Sequence, residues 1–166
     1  MNQKAKQYIK QLGLAKHPEG GYFREIYRSG EIIRAKNLPK RYKSSRNFST
    51  SIYFLLEGKQ ISTFHKLKSD ELWHFYDGSS VIIYIIDKKG RLSPQKLGRE
   101  RDCSFQSIIK RGQWFAAEIE NKNSFSLFGC TVSPGFDFED FELANQDMLI
   151  KLFPKHESLI SRLTNF

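Results

Sequence analysis

Residues 62–78 hold two histidines, a glutamate and four aromatic rings in two strand-like segments joined by a polar turn. Imidazole and carboxylate groups are the side chains from which metal sites and acid/base pockets are built. If the segments pair as a hairpin around Lys68 and Ser69, alternation of side chains places His65 and Glu71 together near the turn. They could ligate a divalent ion or act as an acid/base pair, so we take both as candidate catalytic residues.

Simpler interpretations of His65 and Glu71 stay open. A histidine inside a barrel can be hydrogen-bonded without doing any chemistry, and a buried carboxylate can simply pair with a cation. An apolar neighbourhood would instead raise the pKa of Glu71 toward the range that is useful for proton transfer.

Aromatic side chains accompany Glu71 along its strand. Trp73 and Phe75 share its face, whereas His74 and Tyr76 take the opposite one. Rings beside a catalytic carboxylate can stack on a ligand, but rings are also the usual content of a hydrophobic core. We include Trp73 and Phe75 among the candidate pocket residues with that alternative open.

Five further residues are candidates for the wall of the same pocket. They are polar or aromatic side chains in strand or turn patterns: Ser51, Tyr53, Trp114, His17 and Glu19. Ser51 and Tyr53 share a strand face that is polar for a buried sheet. His17 and Glu19 precede two glycines in a turn where packing requires neither of them, the alternative being a turn held by side-chain hydrogen bonds.

The composition is typical of a folded globular protein. The chain has 166 residues, of which 39% are hydrophobic and 14% aromatic, enough for one domain with a proper core. It has no apolar run of membrane-spanning length, and its first ten residues are too polar for a signal peptide. Cys103 and Cys130 lack CxxC or metal-site spacing. We therefore expect a cytoplasmic protein with reduced thiols and no membrane partner.

The net charge of +9 favours an anionic partner. The densest basic region, residues 34–46, contains Pro39 and two adjacent serines, which indicate a loop. We expect this loop to be solvated, with phosphate steering as the alternative, and we expect no nucleic-acid site. Arg24 and Arg46 are the candidate side chains for binding a phosphate.

The rest of the chain supplies the elements that must position these residues. A helical pattern covers residues 3–12, and turn signals divide residues 22–132 into about nine short strands. Asn145 can cap a helix that ends before Pro154, and residues 155–163 form another helical pattern. Short strands with helices only at the ends predict an all-β sandwich or barrel.

The segment with His65 and Glu71 resembles the first cupin motif, in which two histidines one residue apart precede a glutamate and a later glycine. His65, Glu71 and Gly78 match its spacing, but Leu67 stands in the place of the second histidine. In the place of the second motif, residues 110–114 keep the glycine without a histidine, and the following phenylalanine is near the place of the third histidine.

The chain as a whole resembles the DUF985 (cupin 5) family of the cupins. Five blocks in the expected order carry this resemblance: His17–Glu25, Thr50–Leu56, Asp70–Gly78, Gln113–Ala117 and Thr131–Glu142. The resemblance implies an all-β jelly roll, or double-stranded β-helix, as a single domain over residues 1–166 with its core barrel at about 20–142. It also implies a cavity inside the barrel and a homodimer.

The resemblance bears on cofactors too. Metal-binding cupins typically use three histidines and one glutamate, and of these only His65 and Glu71 remain. Two protein ligands are too few for a tight site, so we expect no cofactor. A divalent metal at His65 and Glu71 is the alternative.

No settled activity comes with this family, and its likeness to deoxysugar epimerases is one of fold only. We predict a protein that binds a small sugar-like or phosphorylated ligand in the barrel and carries out isomerase- or epimerase-type acid/base chemistry. A non-catalytic ligand-binding or sensing protein is the alternative from another class. A metal-dependent enzyme is the third.

Overall fold

The computed structural model describes residues 2–164, which form mainly antiparallel β-structure with short helices near both ends. The helices are α1 (Gln3–Leu12), α2 (Gln146–Leu152) and α3 (Glu157–Arg162). The strands are β1 (Ala15–Lys16), β2 (Tyr22–Arg28), β3 (Ile32–Ile33), β4 (Arg46–Asn47), β5 (Thr50–Glu57), β6 (Ile61–Leu67), β7 (Asp70–Gly78), β8 (Val81–Ile86), β9 (Leu92–Leu97), β10 (Gln106–Ile109), β11 (Trp114–Ile119), β12 (Phe125–Ser133) and β13 (Phe141–Leu143).

Two antiparallel sheets form the jelly roll. One has the order β1-β2-β5-β12-β7-β10, and the other has the order β13-β6-β11-β8-β9. Each contains four strands of the eight-stranded roll, extended at one edge by β1 and β2 or by β13. The predicted all-β jelly roll with a short N-terminal helix and C-terminal helices is confirmed.

Between the sheets, inward side chains form an aromatic core. Trp73 and Phe128 stack with ring centroids 4.5 Å apart, and Phe54 stacks on Phe128 at 5.2 Å. Phe115 comes from the opposite sheet and meets the Trp73 ring edge-on at 6.2 Å. Offset and edge-on ring contacts of this kind stabilise a core beyond the area that they bury.

The helices cover parts of the outer faces. Leu149 of α2 and Ile160 of α3 pack on Trp114, which is outward-facing on β11. Ala5 of α1 packs against Leu55 of β5 on the other sheet. Asn2 caps α1 by accepting from the main-chain N–H groups of the first turn. No helix among residues 2–164 has the length and apolar character required to cross a bilayer.

The predicted hairpin of residues 60–66 with residues 71–76 is wrong. β6 pairs with β11 and β13, whereas β7 pairs with β12 and β10 in the facing sheet. At Lys68 and Ser69 the chain therefore crosses from one sheet to the other. His65 and Glu71 still point to a common space, because inward positions of two facing sheets share the interior of the roll.

The basic segment 34–46 is anchored at two points. Arg46 is only 3% exposed, and its Nε and Nη2 donate to the two carboxylate oxygens of Asp140 at 2.6 and 2.8 Å. The Tyr42 side chain is also buried, with its hydroxyl 2.8 Å from the Ser69 hydroxyl. The segment is thus a loop packed at Tyr42 and Arg46, whereas its other basic side chains are exposed to solvent.

Candidate active site

A cavity of about 240 Å³ lies in the roll between the two sheets. His17, Glu19, His65 and Glu71, four of the candidate site residues, all line it. Its other lining residues are mainly apolar, with a few polar ones: Phe23, Glu25, Arg28, Thr50, Ile52, Phe54, Leu67, Cys130, Val132, Phe136, Asp137, Phe138 and Phe141. Ionisable groups on an apolar wall are the arrangement that shifts pKa values most.

A glycine-rich turn brings Glu19 into this cavity. The turn is closed by main-chain hydrogen bonds from the His17 N–H to the Gly21 carbonyl and from the Gly20 N–H to the His17 carbonyl. Gly21 has φ +69°, and a Cβ there would lie 2.7 Å from the Leu55 carbonyl oxygen. Only glycine satisfies both constraints, so the paired glycines fix the turn and aim Glu19 inward.

Glu19 and His65 form the central contact of the site. Glu19 Oε2 lies 3.2 Å from His65 Nε2, and both side chains are buried. The hydroxyl of Ser62 donates to Glu19 Oε1 at 2.8 Å. His65 Nδ1 lies 2.7 Å from the Thr63 carbonyl oxygen.

These contacts determine where the protons lie. A carbonyl oxygen only accepts, so His65 Nδ1 carries a hydrogen and the neutral ring presents a bare Nε2 to Glu19. Burial lowers the pKa of His65, opposed by Glu71 and the Thr63 carbonyl, and burial raises the pKa of Glu19. Both shifts favour a protonated Glu19 beside a neutral His65, and a proton on Oε2 makes the 3.2 Å approach of Oε2 to Nε2 a favourable one.

His17 lies beside this pair. Its Nδ1 is 3.7 Å from Glu19 Oε2 and accepts from the Glu19 main-chain N–H at 3.3 Å. The neutral ring therefore carries its hydrogen on Nε2. Burial lowers the pKa of His17, and the edge of its ring packs on Phe23 with centroids 4.5 Å apart. His17 is thus a neutral imidazole on the cavity wall.

Glu71 faces the pair from the opposite sheet. Burial in this apolar surrounding raises its pKa to about 7. Glu71 Oε2 is buried at the cavity wall without a hydrogen bond of ordinary geometry among residues 2–164. The Trp73 indole and the Cys130 thiol lie close enough to Glu71 to lower its pKa slightly, against the effect of burial. Buried polar atoms without a protein partner at a cavity wall are free to bind a ligand.

Trp73 and Phe75 share the inward face of Glu71, but they do not line the cavity. Trp73 is 1% exposed in the aromatic core, where it stacks on Phe128. Phe75 is buried further along β7, and the Arg99 guanidinium lies 5.6 Å from its ring centroid. The alternation of side chains predicted correctly that both face inward. They lie deeper in the roll than the cavity, so they are core residues and do not belong to the pocket.

The structure contradicts the assignment of Ser51 and Tyr53 to the pocket. Their neighbours Thr50, Ile52 and Phe54 line the cavity, so Ser51 and Tyr53 project from the outer face of β5. There the Ser51 hydroxyl lies 3.4 Å from that of Thr131, and the Tyr53 ring meets Tyr76 edge-on. The outer face of β5 is the polar one, because the outer side of the first sheet is only partly covered and so remains partly exposed to solvent.

Trp114 is also placed outside the cavity. It is 5% exposed and lies on the outer face of its sheet, beneath the C-terminal helices. The Lys66 ammonium group lies 4.3 Å from the centroid of its ring. The neighbouring Phe115 faces inward instead, with its ring centroid 4.0 Å from that of His65. Helices that pack on an outer sheet face bury it, so the burial of Trp114 does not indicate a pocket.

The cavity has one arginine that sequence reasoning missed. Arg28 lines it and is held by Glu25 at 2.7 Å and by the main-chain carbonyl of Phe136 at 3.1 Å. The two predicted phosphate-binding arginines are engaged elsewhere: Arg24 donates to the Leu12 carbonyl, and Arg46 binds Asp140. Alternation along β2 could not single out Arg28, because the strand shifts its register against β5 after Glu25.

The donor set does not fit a tightly held metal ion. Among residues 2–164, no three His, Cys, Asp or Glu side chains are arranged to hold one. His65 has both ring nitrogens engaged, one by Thr63 and the other by Glu19. Leu67, in the place of the second cupin histidine, lines the cavity with an apolar side chain.

Known proteins resemble this chain in sequence and in structure. A family model described as "Cupin superfamily (DUF985)" matches residues 6–144. The Saccharomyces cerevisiae protein YML079W, described as uncharacterized, is 33% identical over 150 residues, which cover 81% of this chain and 72% of the yeast protein. The crystal structure of SO0799 from Shewanella oneidensis is 37% identical, with a TM-score of 0.87 and 97% coverage of both chains.

Oxalate decarboxylase from Bacillus subtilis is a more distant structural neighbour. It is 17% identical with a TM-score of 0.55, and the match covers 89% of this chain and 36% of the decarboxylase. That likeness concerns the fold alone. The match over residues 6–144 and the two nearer relatives confirm the resemblance seen in the sequence. The chain belongs to the DUF985 family of the cupin superfamily.

Proposed function

We propose that the protein binds a small sugar-like molecule in the barrel cavity and moves a proton on it, as an isomerase or epimerase does. The observation that carries this proposal is the convergence of two buried carboxylic groups and an imidazole on one cavity of about 240 Å³. Separate acid/base groups around one bound molecule are what removal and return of a proton require.

Glu71 is the main catalytic residue in this proposal. With a pKa of about 7, its carboxyl group is present in both protonation states near neutral pH. A group in that state can accept a proton in one step and donate it in the next. Its unpartnered Oε2 atom supports direct contact with the ligand.

Glu19 and His65 act as the second acid/base unit. When Glu19 accepts a proton from the ligand, it passes the proton that it already holds to His65. The 3.2 Å distance between Glu19 Oε2 and His65 Nε2 is short enough for this transfer. His65 is a positioning and proton-sharing residue here, because both of its nitrogens already have protein partners. The group that touches the ligand is the Glu19 carboxyl, because each of its oxygens keeps a further lone pair beside its contact with Ser62 or His65.

The cavity wall favours a small ligand with an apolar face. Phe23, Phe54 and Phe141 surround the acid/base groups, and their rings can stack on a sugar ring. Arg28 lies in the same lining, but its guanidinium is paired with Glu25 at 2.7 Å, so the cavity wall favours an uncharged part of the ligand. The net charge of +9 would raise the encounter rate with anionic ligands.

Proton transfer can be detected without knowing the full reaction. The protein is incubated in D₂O with a panel of aldoses, ketoses and their phosphates, and loss of a C–H signal is followed by proton NMR. We expect exchange with at least one compound, and we expect it to be lost in Glu71→Gln and Glu19→Gln. Glu31→Gln, at an exposed position outside the cavity, is the matched control and should retain it.

A non-catalytic ligand-binding protein is the second candidate. It is favoured by one observation: His65 is engaged at both nitrogens and cannot reach a ligand unless one contact breaks. Saturable binding of a panel compound without deuterium exchange, unchanged in Glu71→Gln, would support this candidate and contradict the enzyme.

We also propose that the protein works as a cytoplasmic homodimer. Tyr76 and Ile108 are 45% and 47% exposed on the outer face of the first sheet, and apolar side chains of this kind can be covered by a second copy. Cys103 and Cys130 are both free thiols, the state that a reducing cytoplasm maintains.

A further inference from the structure

We infer that a second cavity, next to the first, binds the phosphoryl group of a small phosphorylated ligand. This cavity, called the basic groove, has a volume of about 310 Å³. Its lining is rich in charged side chains: Arg41, Lys66, Leu67, Lys68, Lys88, Arg111, Gly112, Glu139, Asp140, Phe141 and Glu142. A pocket of this size suits one small molecule.

The basic groove and the barrel cavity share a wall. Leu67 and Phe141 line both cavities and lie directly opposite each other in the β6–β13 pair. The two spaces therefore meet at one cross-strand pair of side chains. A ligand could place its uncharged part beside Glu71 and its phosphoryl group in the groove, a placement that rests on the proposed function.

The carboxylates of the groove are already paired. Arg46, from outside the groove, binds Asp140 at 2.6 Å and Glu139 at 3.1 Å. Glu142 pairs with Lys66 at 3.0 Å. These ion pairs neutralise the acidic side of the groove, so it does not repel an anion.

Three cations in the groove have no carboxylate within ion-pair distance among residues 2–164: Arg41, Lys88 and Arg111. Arg41 donates from Nε to the Lys68 carbonyl, which holds its guanidinium at the groove. Lys88 lies beside Gly112, where a Cβ would come within 3.2 Å of the Lys88 Cε. Lys88 and Arg111 come from different turns of the chain and both line the groove. Convergent guanidinium and ammonium groups are the usual partners of phosphate oxygens.

Inorganic pyrophosphate tests the groove without the unknown ligand. We would titrate it by calorimetry into the wild type, a Lys88→Gln/Arg111→Gln variant and a Lys36→Gln/Lys155→Gln control. All four side chains are exposed, so both variants should fold and lose the same charge. We expect saturable, salt-sensitive binding by the wild type and the control, and weakening by about tenfold or more in Lys88→Gln/Arg111→Gln.

Three results would overturn the inference. The first is that the wild type shows no saturable binding of pyrophosphate, and the second is that both double variants weaken binding equally. The third is that a single-stranded oligonucleotide binds much more tightly than pyrophosphate and depends on Lys88 and Arg111 in the same way, which would assign the groove to nucleic acid. Glu71→Gln should bind pyrophosphate like the wild type, so failure of the proton-transfer proposal and failure of the groove are separate outcomes.

Discussion

Glu19 Oε2 lies 3.2 Å from Nε2 of His65, so a turn before β2 supplies the partner of the cupin-motif histidine. In metal-binding cupins this histidine faces a metal ion, whereas here it faces a carboxyl group. Ser62 and the Thr63 carbonyl hold the two residues in place with hydrogen bonds of 2.8 and 2.7 Å. With Leu67 in the place of the second cupin histidine, the contact of His65 with Glu19 is the one that the proposed proton sharing uses.

The tautomer of His65 follows from this contact. We expect ¹⁵N NMR at neutral pH to show a neutral ring with its hydrogen on Nδ1, because Nδ1 faces a carbonyl and burial lowers the pKa. His156 is an internal control: its Nε2 lies 2.9 Å from the Gly90 carbonyl, so it should carry its hydrogen on Nε2. A charged His65 at neutral pH, or a hydrogen on its Nε2, would contradict the proposed proton arrangement.

Glu71 should make stability depend on pH. Because its pKa is raised from 4.5 to about 7 on folding, its contribution is fully present below pH 4.5 and is lost as pH rises through 7. Glu71→Gln mimics the protonated form. Its free energy of unfolding relative to wild type should therefore increase by about 3 kcal/mol between acidic and alkaline pH.

The measurement is urea denaturation of both proteins across that pH range. Glu31→Gln is the control for the same chemical change at an exposed position outside the cavity. A difference between Glu71→Gln and wild type that does not vary with pH would mean that Glu71 titrates normally.

The assignment of the inward face of β5 can be tested by introducing a tryptophan at each of two adjacent positions. Ile52→Trp should fill part of the barrel cavity and abolish ligand binding or deuterium exchange, because Ile52 lines it. Tyr53→Trp should leave both unchanged, since Tyr53 projects from the outer face and contacts Tyr76. Equal effects of the two variants would show that the face assignment is wrong.

The buried pair of Arg46 and Asp140 should be important for stability. Asp140→Ala leaves Arg46 without its two-point partner and should lower the free energy of unfolding by about 3–5 kcal/mol. Replacing both residues with apolar ones should recover most of that loss. Glu142→Ala removes a half-exposed pair with Lys66 and should cost about 1 kcal/mol or less. Chemical denaturation compares all three, and a small effect of Asp140→Ala would contradict this role.

The proposed dimer can be tested with a charged substitution in its expected interface. Ile108→Glu places a charge on the outer face of the first sheet and should shift the protein to monomer in sedimentation velocity. Leu152→Glu, at an equally exposed position at the end of α2, should leave the assembly unchanged. A wild-type protein that sediments as a monomer would rule out the proposed dimer.

The sequence predicted the elements well because each has a local signal. The helix over residues 3–12, capped by Asn2 and ended at Gly13, has the predicted bounds. The alternation of side chains along β7 separated Glu71, Trp73 and Phe75 from His74 and Tyr76 correctly. Local periodicity and turn residues are properties of short segments, so they can be read without knowing the fold.

The pairing of the strands and the depth at which each side chain lies could not be predicted from such local signals. The sequence of β5 showed two alternating faces but not which one would be covered, and the polar face was chosen wrongly. Trp114 and Phe115 differ by one position, yet one lies under the C-terminal helices and the other beside His65. Which neighbour covers a face depends on sheet order, which short segments do not encode.

The sequence by itself determined the family, the jelly-roll class and four of the ionisable residues that line the cavity, because motif spacing and strand alternation are local. Only the tertiary structure decided their relations. It placed Glu19 against His65, put Glu71 in the facing sheet with a pKa of about 7, and set the basic groove behind Leu67 and Phe141. The physical reason is that burial and electrostatic coupling act through space between strands that are distant along the chain.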